Sequence, residues 1–223
     1  MGDTRKDIEN IRCEEMAMPA KMYRLDLKNL IFTIMMGALG NVLFLLSETV
    51  LSWGQIALDI SHIGTLIAAL YGGPIAGLIA GLLVGLGPGL YFGYIGGSLG
   101  LLGLVCLPVG KALTGFFAGL LARWLKVERR ASSSLMTIPI VLMGYVPECI
   151  FTVFFFKVLV AILLPFAAQF LIPFLVPILI KAWIEMGIMS FFMAALIGNN
   201  GFSDFVRQHF GRGGTTNSRI FKN

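Results

Sequence analysis

Five ionisable side chains stand within or at the ends of long apolar runs: Lys111, Glu148, Lys157, Lys181 and Glu185. A charge held at the centre of a bilayer costs about 2.5–3.5 kcal/mol on insertion scales, so one kept there implies a use: a ligand, a transported ion or a compensating partner. Lys181 and Glu185 are four residues apart and share one face of a helix. They can pair with each other or hold a polar ligand. Tyr145 and Trp183 are the aromatic residues near these charges, either as ligand contacts or as anchors at the membrane–water interface. A second polar group, Asp59-Ile60-Ser61-His62, opens another apolar stretch. Asp or Ser at such a start satisfies free backbone N–H groups as an N-cap; the competing reading is that Asp59 and His62 face a ligand. A lone His62 with no partner at ligand spacing is not a metal site, and no metal is expected.

No sequence motif adds catalysis. Residues 103–112 have the outline of a phosphate loop, but the spacing is one residue off and Ala112 stands where Ser or Thr must meet Mg²⁺. The chain is therefore not expected to hydrolyse ATP itself. Cys13, Cys106 and Cys149 form an odd set without disulfide or metal spacing. An intramembrane enzyme using Glu148, Glu185 or His62 as acid or base would need a nucleophile, metal pair or converging carboxylates. The sequence offers no nucleophile motif or metal pair, so neither an enzymatic role nor a cofactor is expected.

The elements that must position these residues are membrane helices. Of the 223 residues, 57% are hydrophobic and only 13% charged, about half the charged share of a soluble domain. A span needs about 20 apolar residues. The runs predict six helices: 27–46, 56–71, 74–90, 99–125, 135–156 and 174–197. The split between the second and third follows Gly72-Gly73-Pro74, since glycine suits a helix end and proline a helix start. Residues 88–97 read as a glycine-rich turn. The proline-punctuated stretch 158–173 reads as a re-entrant or interfacial piece, and Gly198-Asn199-Asn200-Gly201 as a stop followed by a polar tail.

Charge distribution fixes the expected orientation. Fourteen of the 17 Lys and Arg fall in three groups: six in residues 1–28, four at Arg123, Lys126, Arg129 and Arg130, and four at Arg207, Arg212, Arg219 and Lys222. With six helices these groups share one side, which the positive-inside rule makes cytosolic. Merging the second and third helices would place the middle group opposite the first. The basic excess thus reflects topology and no nucleic-acid partner is expected. Residues 1–26, which lack a short apolar core, are expected as a cytosolic leader, 27–200 as the membrane domain and 201–223 as a cytosolic tail. In this topology Glu148, Lys157, Lys181 and Glu185 fall in the outer halves of their helices and can line one pocket open to the outside.

Small residues recur every four positions: Gly73, Gly77, Gly81, Gly85 and Gly89 in the third helix, Gly115 and Gly119 in the fourth, and Thr33, Gly37 and Asn41 in the first. Such stripes let helices approach closely. Most are expected to be internal; the first-helix stripe is the candidate partner surface.

A charged leader, a first helix, a polar loop, then residues 58–64 (LDISHIG) and 68–81 (AALYGGPIAGLIAG) resemble the substrate-specific (S) components of energy-coupling factor transporters. The resemblance covers roughly residues 27–200, with 58–85 its distinctive part. It implies a six-helix, multi-pass protein of the cell membrane that binds a vitamin or related micronutrient near its outer face, without chemistry. It also implies docking through helix 1 onto a partner transmembrane subunit driven by two cytosolic ATPases. Family members often carry alanines at the helix 1 stripe, where this chain has Thr33, Gly37 and Asn41. The expected ligand set is Glu148, Lys181, Glu185, Lys157, Tyr145, Trp183, Asp59 and His62. The alternative is a non-transporting membrane scaffold or sensor module.

Overall fold

The computed structural model describes residues 27–210 apart from 51, 54–55, 97–98 and 126–132. The expected leader, most of the expected tail, and Lys126, Arg129 and Arg130 of the basic loop lie outside the described residues.

The described chain is helical, with one two-residue ladder. Helix α1 (Leu27–Val50) leads into β1 (Ser52–Trp53) and β2 (Ile56–Ala57), paired antiparallel with Ser52 opposite Ala57. Helix α2 runs over His62–Ile67 and widens into a π turn at Ala68–Gly72. Helix α3 (Pro74–Leu90) extends through a π segment to Ile95, and α4 spans Gly100–Trp124. Helix α5 (Ser133–Phe154) continues through a π segment and a short turn to Leu163. A short α6 (Pro165–Leu171) leads through a 3₁₀ turn into α7 (Leu175–Gly198), and α8 (Asn200–Phe210) follows.

Among the described residues, five helical stretches are long and apolar enough to cross a membrane: Leu27–Val50, Pro74–Ile95, Gly100–Trp124, Ser134–Leu163 and Pro165–Gly198. The second helix is not among them. It begins at His62 rather than near residue 56, because β2 already occupies Ile56–Ala57. Its residues His62–Gly72 rise about 16 Å, roughly half the hydrocarbon thickness. The segment nevertheless returns along α1. Ile60 N–H donates to Ser47 Oγ (3.2 Å) near one end of α1, and Asn29 Nδ2 donates to the Gly72 carbonyl (3.1 Å) near the other. Between these points Gly64 lies against the Met36 carbonyl and the Gly40 backbone. Because α2 is short, the chain before it must dip into the bundle, and this dip carries Asp59 and Ser61 inward.

The split at Gly73-Pro74 is as the sequence predicts. Gly73 takes φ +88°, a conformation open to glycine, and Pro74 starts α3, where its missing N–H is not needed. The α3–α4 pair is the heart of the bundle and rests on glycine contacts. A Cβ on Gly77 would collide with the Gly115 carbonyl, one on Gly81 with Lys111 and Ala112 backbone, and one on Gly85 with Pro108. Such backbone contact stabilises antiparallel helices through dispersion at short range.

Three expectations need correction. The glycine-rich turn expected at 88–97 is instead helical to Ile95, and the Asn41 side chain braces the helix just before it. Its Nδ2 donates to the Leu83 carbonyl (2.8 Å) and its Oδ1 accepts from Gly87 N–H (2.9 Å), joining two groups that a regular helix would bond directly. The polar tail does not begin at residue 201. The stop is a single extended residue, Asn199, whose Oδ1 accepts the Phe202 N–H (3.2 Å) and so restarts helix as α8. Helix α8 then folds back beneath α2, where Phe202 meets Tyr71 edge to face, Tyr71 Oη bonds Ser203 Oγ (2.9 Å) and Val206 is buried. Finally, the Thr33–Gly37–Asn41 stripe is internal. Thr33 is buried and bonds the Asn29 carbonyl, a Cβ on Gly37 would press on Leu83, and Asn41 is bonded to α3. These residues hold α3 and are not offered to a partner. The outward face of α1 is instead aliphatic, with Ile31, Met35, Val42 and Leu46 exposed.

Candidate functional site

The dip ahead of α2 lands on Lys111, near the middle of α4. Lys111 is only 5% exposed, and its Nζ donates to Asp59 Oδ2 (2.8 Å) and to Ser61 Oγ (2.6 Å). Asp59 Oδ1 also accepts the Ser61 N–H (2.9 Å), a local turn bond. Ser61 occupies the N-cap position of α2 but makes no side-chain cap bond, since its hydroxyl meets Lys111. The capping role expected for this triplet is thus replaced by ion pairing across the bundle. The Lys111 ammonium and the Ser61 N–H thus compensate the buried Asp59 carboxylate.

Two further carboxylates meet this pair. Glu148 follows Pro147 on α5; its Oε2 accepts a short hydrogen bond from the Thr114 hydroxyl, one turn along α4 from Lys111, and its Oε1 lies 3.6 Å from His62 Nε2. Glu185 on α7 accepts the backbone N–H of Asp59 at Oε1 (2.7 Å), and the same oxygen lies 3.4 Å from Lys181 Nζ. The residues before α2 are therefore held by α4 through a side chain and by α7 through the backbone. Glu48, near the end of α1, is close enough to Lys181 and Asp59 for their charges to act on its carboxyl.

The arrangement joins α1, α2, α4, α5 and α7 at one mixed-charge centre. Of the expected site residues, it brings together Asp59, His62, Glu148, Lys181 and Glu185. Tyr145 and Trp183 pack edge to face with ring centroids 5.4 Å apart, tying α5 to α7 beside it; Tyr145 is buried and Trp183 is exposed. Lys157 is not part of the centre. It sits exposed on the π segment after α5, where the change of register turns it outward.

The centre also contains residues that the sequence reading did not assign to it: Lys111, Ser61, Thr114 and Glu48. Lys111 stood out as an intramembrane charge, but its partner depends on how deep the residues before α2 descend, and nothing local signals that depth. Two buried polar atoms of α2, His62 Nδ1 and Thr65 Oγ1, have no hydrogen-bond partner among the described residues. No group of three or more His, Cys, Asp or Glu side chains among the described residues is placed to share a metal ion.

No family model matches the chain, and neither a curated protein nor a solved structure matches it.

Proposed function

We propose that the chain is the substrate-capturing subunit of an uptake transporter of the energy-coupling factor type, taking a vitamin or related micronutrient. The observation that carries this reading is the convergence of Asp59, Lys111, Glu148, Lys181 and Glu185 from four segments of an otherwise apolar bundle. Ionisable groups gathered inside a membrane bundle mark a pathway or ligand site by default. The centre is also reachable from one side, since the Lys181 and Asp59 side chains are 33% and 21% exposed.

Six crossings with both termini cytosolic accord with the course of residues 60–72, tied at each end to an end of α1. In that orientation the residues before α2 face outward and the Arg123 end of α4 faces the cytosol. A partner transmembrane subunit, coupled to ATPases, docks on the aliphatic outer face of α1, because the small-residue stripe is already used internally. Native mass spectrometry of the purified chain tests the capture role, together with co-purification of a transport subunit from the native membrane. A retained small molecule is the expected result. Absence of both a retained molecule and a partner overturns the proposal.

One observation favours a second reading, a non-transporting scaffold or sensor: Lys111 with Asp59, and Lys181 with Glu185, already satisfy each other. On that reading, neutralising Glu148 or Glu185 lowers stability and leaves solute uptake unchanged.

A further inference from the structure

We infer that the ligand taken by this centre is an organic cation carrying N–H donors, of the protonated-amine class. The inference rests on the capture role proposed above and adds the chemistry of what is captured.

The first argument is the charge balance. Asp59, Glu148 and Glu185 face two ammonium groups, those of Lys111 and Lys181, and Glu48 adds a fourth carboxylate at the rim. No other described base compensates them. Lys157 is exposed elsewhere, and Arg123 lies against Gly73 at the opposite end of α4. The centre therefore holds more carboxyl than ammonium groups, and a carboxyl left unpaired in an apolar bundle takes up either a proton or a cation. A bound cation meets that need; a bound anion does not.

The second argument is independent of the charge count. His62 is only 7% exposed, and its Nε2 lies 3.6 Å from Glu148 Oε1. With Nε2 turned to Glu148, the proton of a neutral imidazole belongs on Nε2, which leaves Nδ1 as a bare acceptor. Nδ1 has no donor among the described residues. An acceptor waiting inside an acidic centre matches an N–H donor on a cation. A metal ion is the poorer fit, because no three ligating side chains share one point among the described residues. Access runs from the Lys181 side, the most exposed part of the centre, where a ligand ammonium can exchange with Lys181 at Glu185.

The test uses the full chain in detergent at neutral pH. Native mass spectrometry identifies any retained molecule, and tryptophan fluorescence follows titration with two probes of one skeleton, benzylammonium and benzoate. A retained amine, or saturable binding of benzylammonium without benzoate, is the expected result. Binding should weaken about ten-fold or more in Glu185→Gln, and also in Glu48→Gln, a rim variant that keeps the buried pairs intact. A retained anion, or binding of benzoate in preference to benzylammonium, overturns the cation class and leaves the capture role standing. Nothing retained and neither probe bound overturns the cation class, and the capture role falls with it only if no transport subunit co-purifies.

Discussion

Asp59 and Lys111 are 52 positions apart in the sequence, and Oδ2 and Nζ are 2.8 Å apart in the fold. The contact exists because α2 is too short to fill the height of the bundle, so the chain before it descends to the middle of α4. Removing one partner leaves the other buried without its counter-charge, which typically costs 3–5 kcal/mol, whereas removing both together is far milder. Lys111→Met is therefore expected to destabilise the detergent-solubilised protein by about that amount, read by thermal unfolding. The Asp59→Asn/Lys111→Met double variant should regain at least half of the loss. Strictly additive losses would mean that the two residues do not act as a pair.

Asn41 bonds both Leu83 and Gly87 and braces α3 just before Pro88. Asn41→Leu keeps the side-chain volume but leaves these two backbone groups without the amide, a loss of about 1–3 kcal/mol for buried unsatisfied groups. A lower unfolding temperature is expected, with weaker amide-exchange protection in α3 around residues 83–91. Unchanged protection there would show that the helix heals by closing the direct Leu83–Gly87 bond.

Much of this fold is legible in the sequence, and the limits have physical causes. Hydropathy and the Gly73-Pro74 break place α1, α3, α4, α5 and α7 to within a few residues, because each is a long apolar run with a recognisable end. The turn expected over 88–97 fails because a proline interrupts a helix without having to end it, and the chain stays helical to Ile95. The Thr33–Gly37–Asn41 stripe is legible as a close-approach face, but its assignment to a separate subunit fails, since it packs on α3. Its partner is not readable, because small residues allow close approach to any helix, whether α3 of the same chain or a separate subunit. The site shows the same division. Glu148, Lys181 and Glu185 are visible as charges in apolar surroundings, whereas the link from Glu185 to the Asp59 backbone N–H depends on tertiary descent of the chain.

The glycine contacts between α3 and α4 predict a sharp positional contrast. Alanine at Gly77 or Gly81 places Cβ into the backbone of α4, an overpacking that costs about 1–3 kcal/mol and pushes the two helices apart. Gly187 on α7 has open space around the Cβ position, so Gly187→Ala should be neutral or stabilise by about 0.5–1 kcal/mol through helix propensity. Unfolding temperatures of the three variants decide the matter. Equal effects at 77 and 187 would contradict the close approach of α3 to α4.

Orientation in the membrane gives the most direct check on the proposed role. Tyr94 and Trp124 are both exposed, at opposite ends of the α3–α4 pair. In the proposed orientation, the end of α4 at Trp124, which basic residues follow, faces the cytosol. In a background lacking Cys13, Cys106 and Cys149, Tyr94→Cys should react with a membrane-impermeant maleimide in intact cells, and Trp124→Cys only after permeabilisation. The reverse pattern would turn Lys181 and Asp59, the exposed rim of the charged centre, toward the cytosol, and capture from outside would then be untenable. Labelling of both from the same side would break the α3–α4 hairpin itself, on which the position of Lys111 depends.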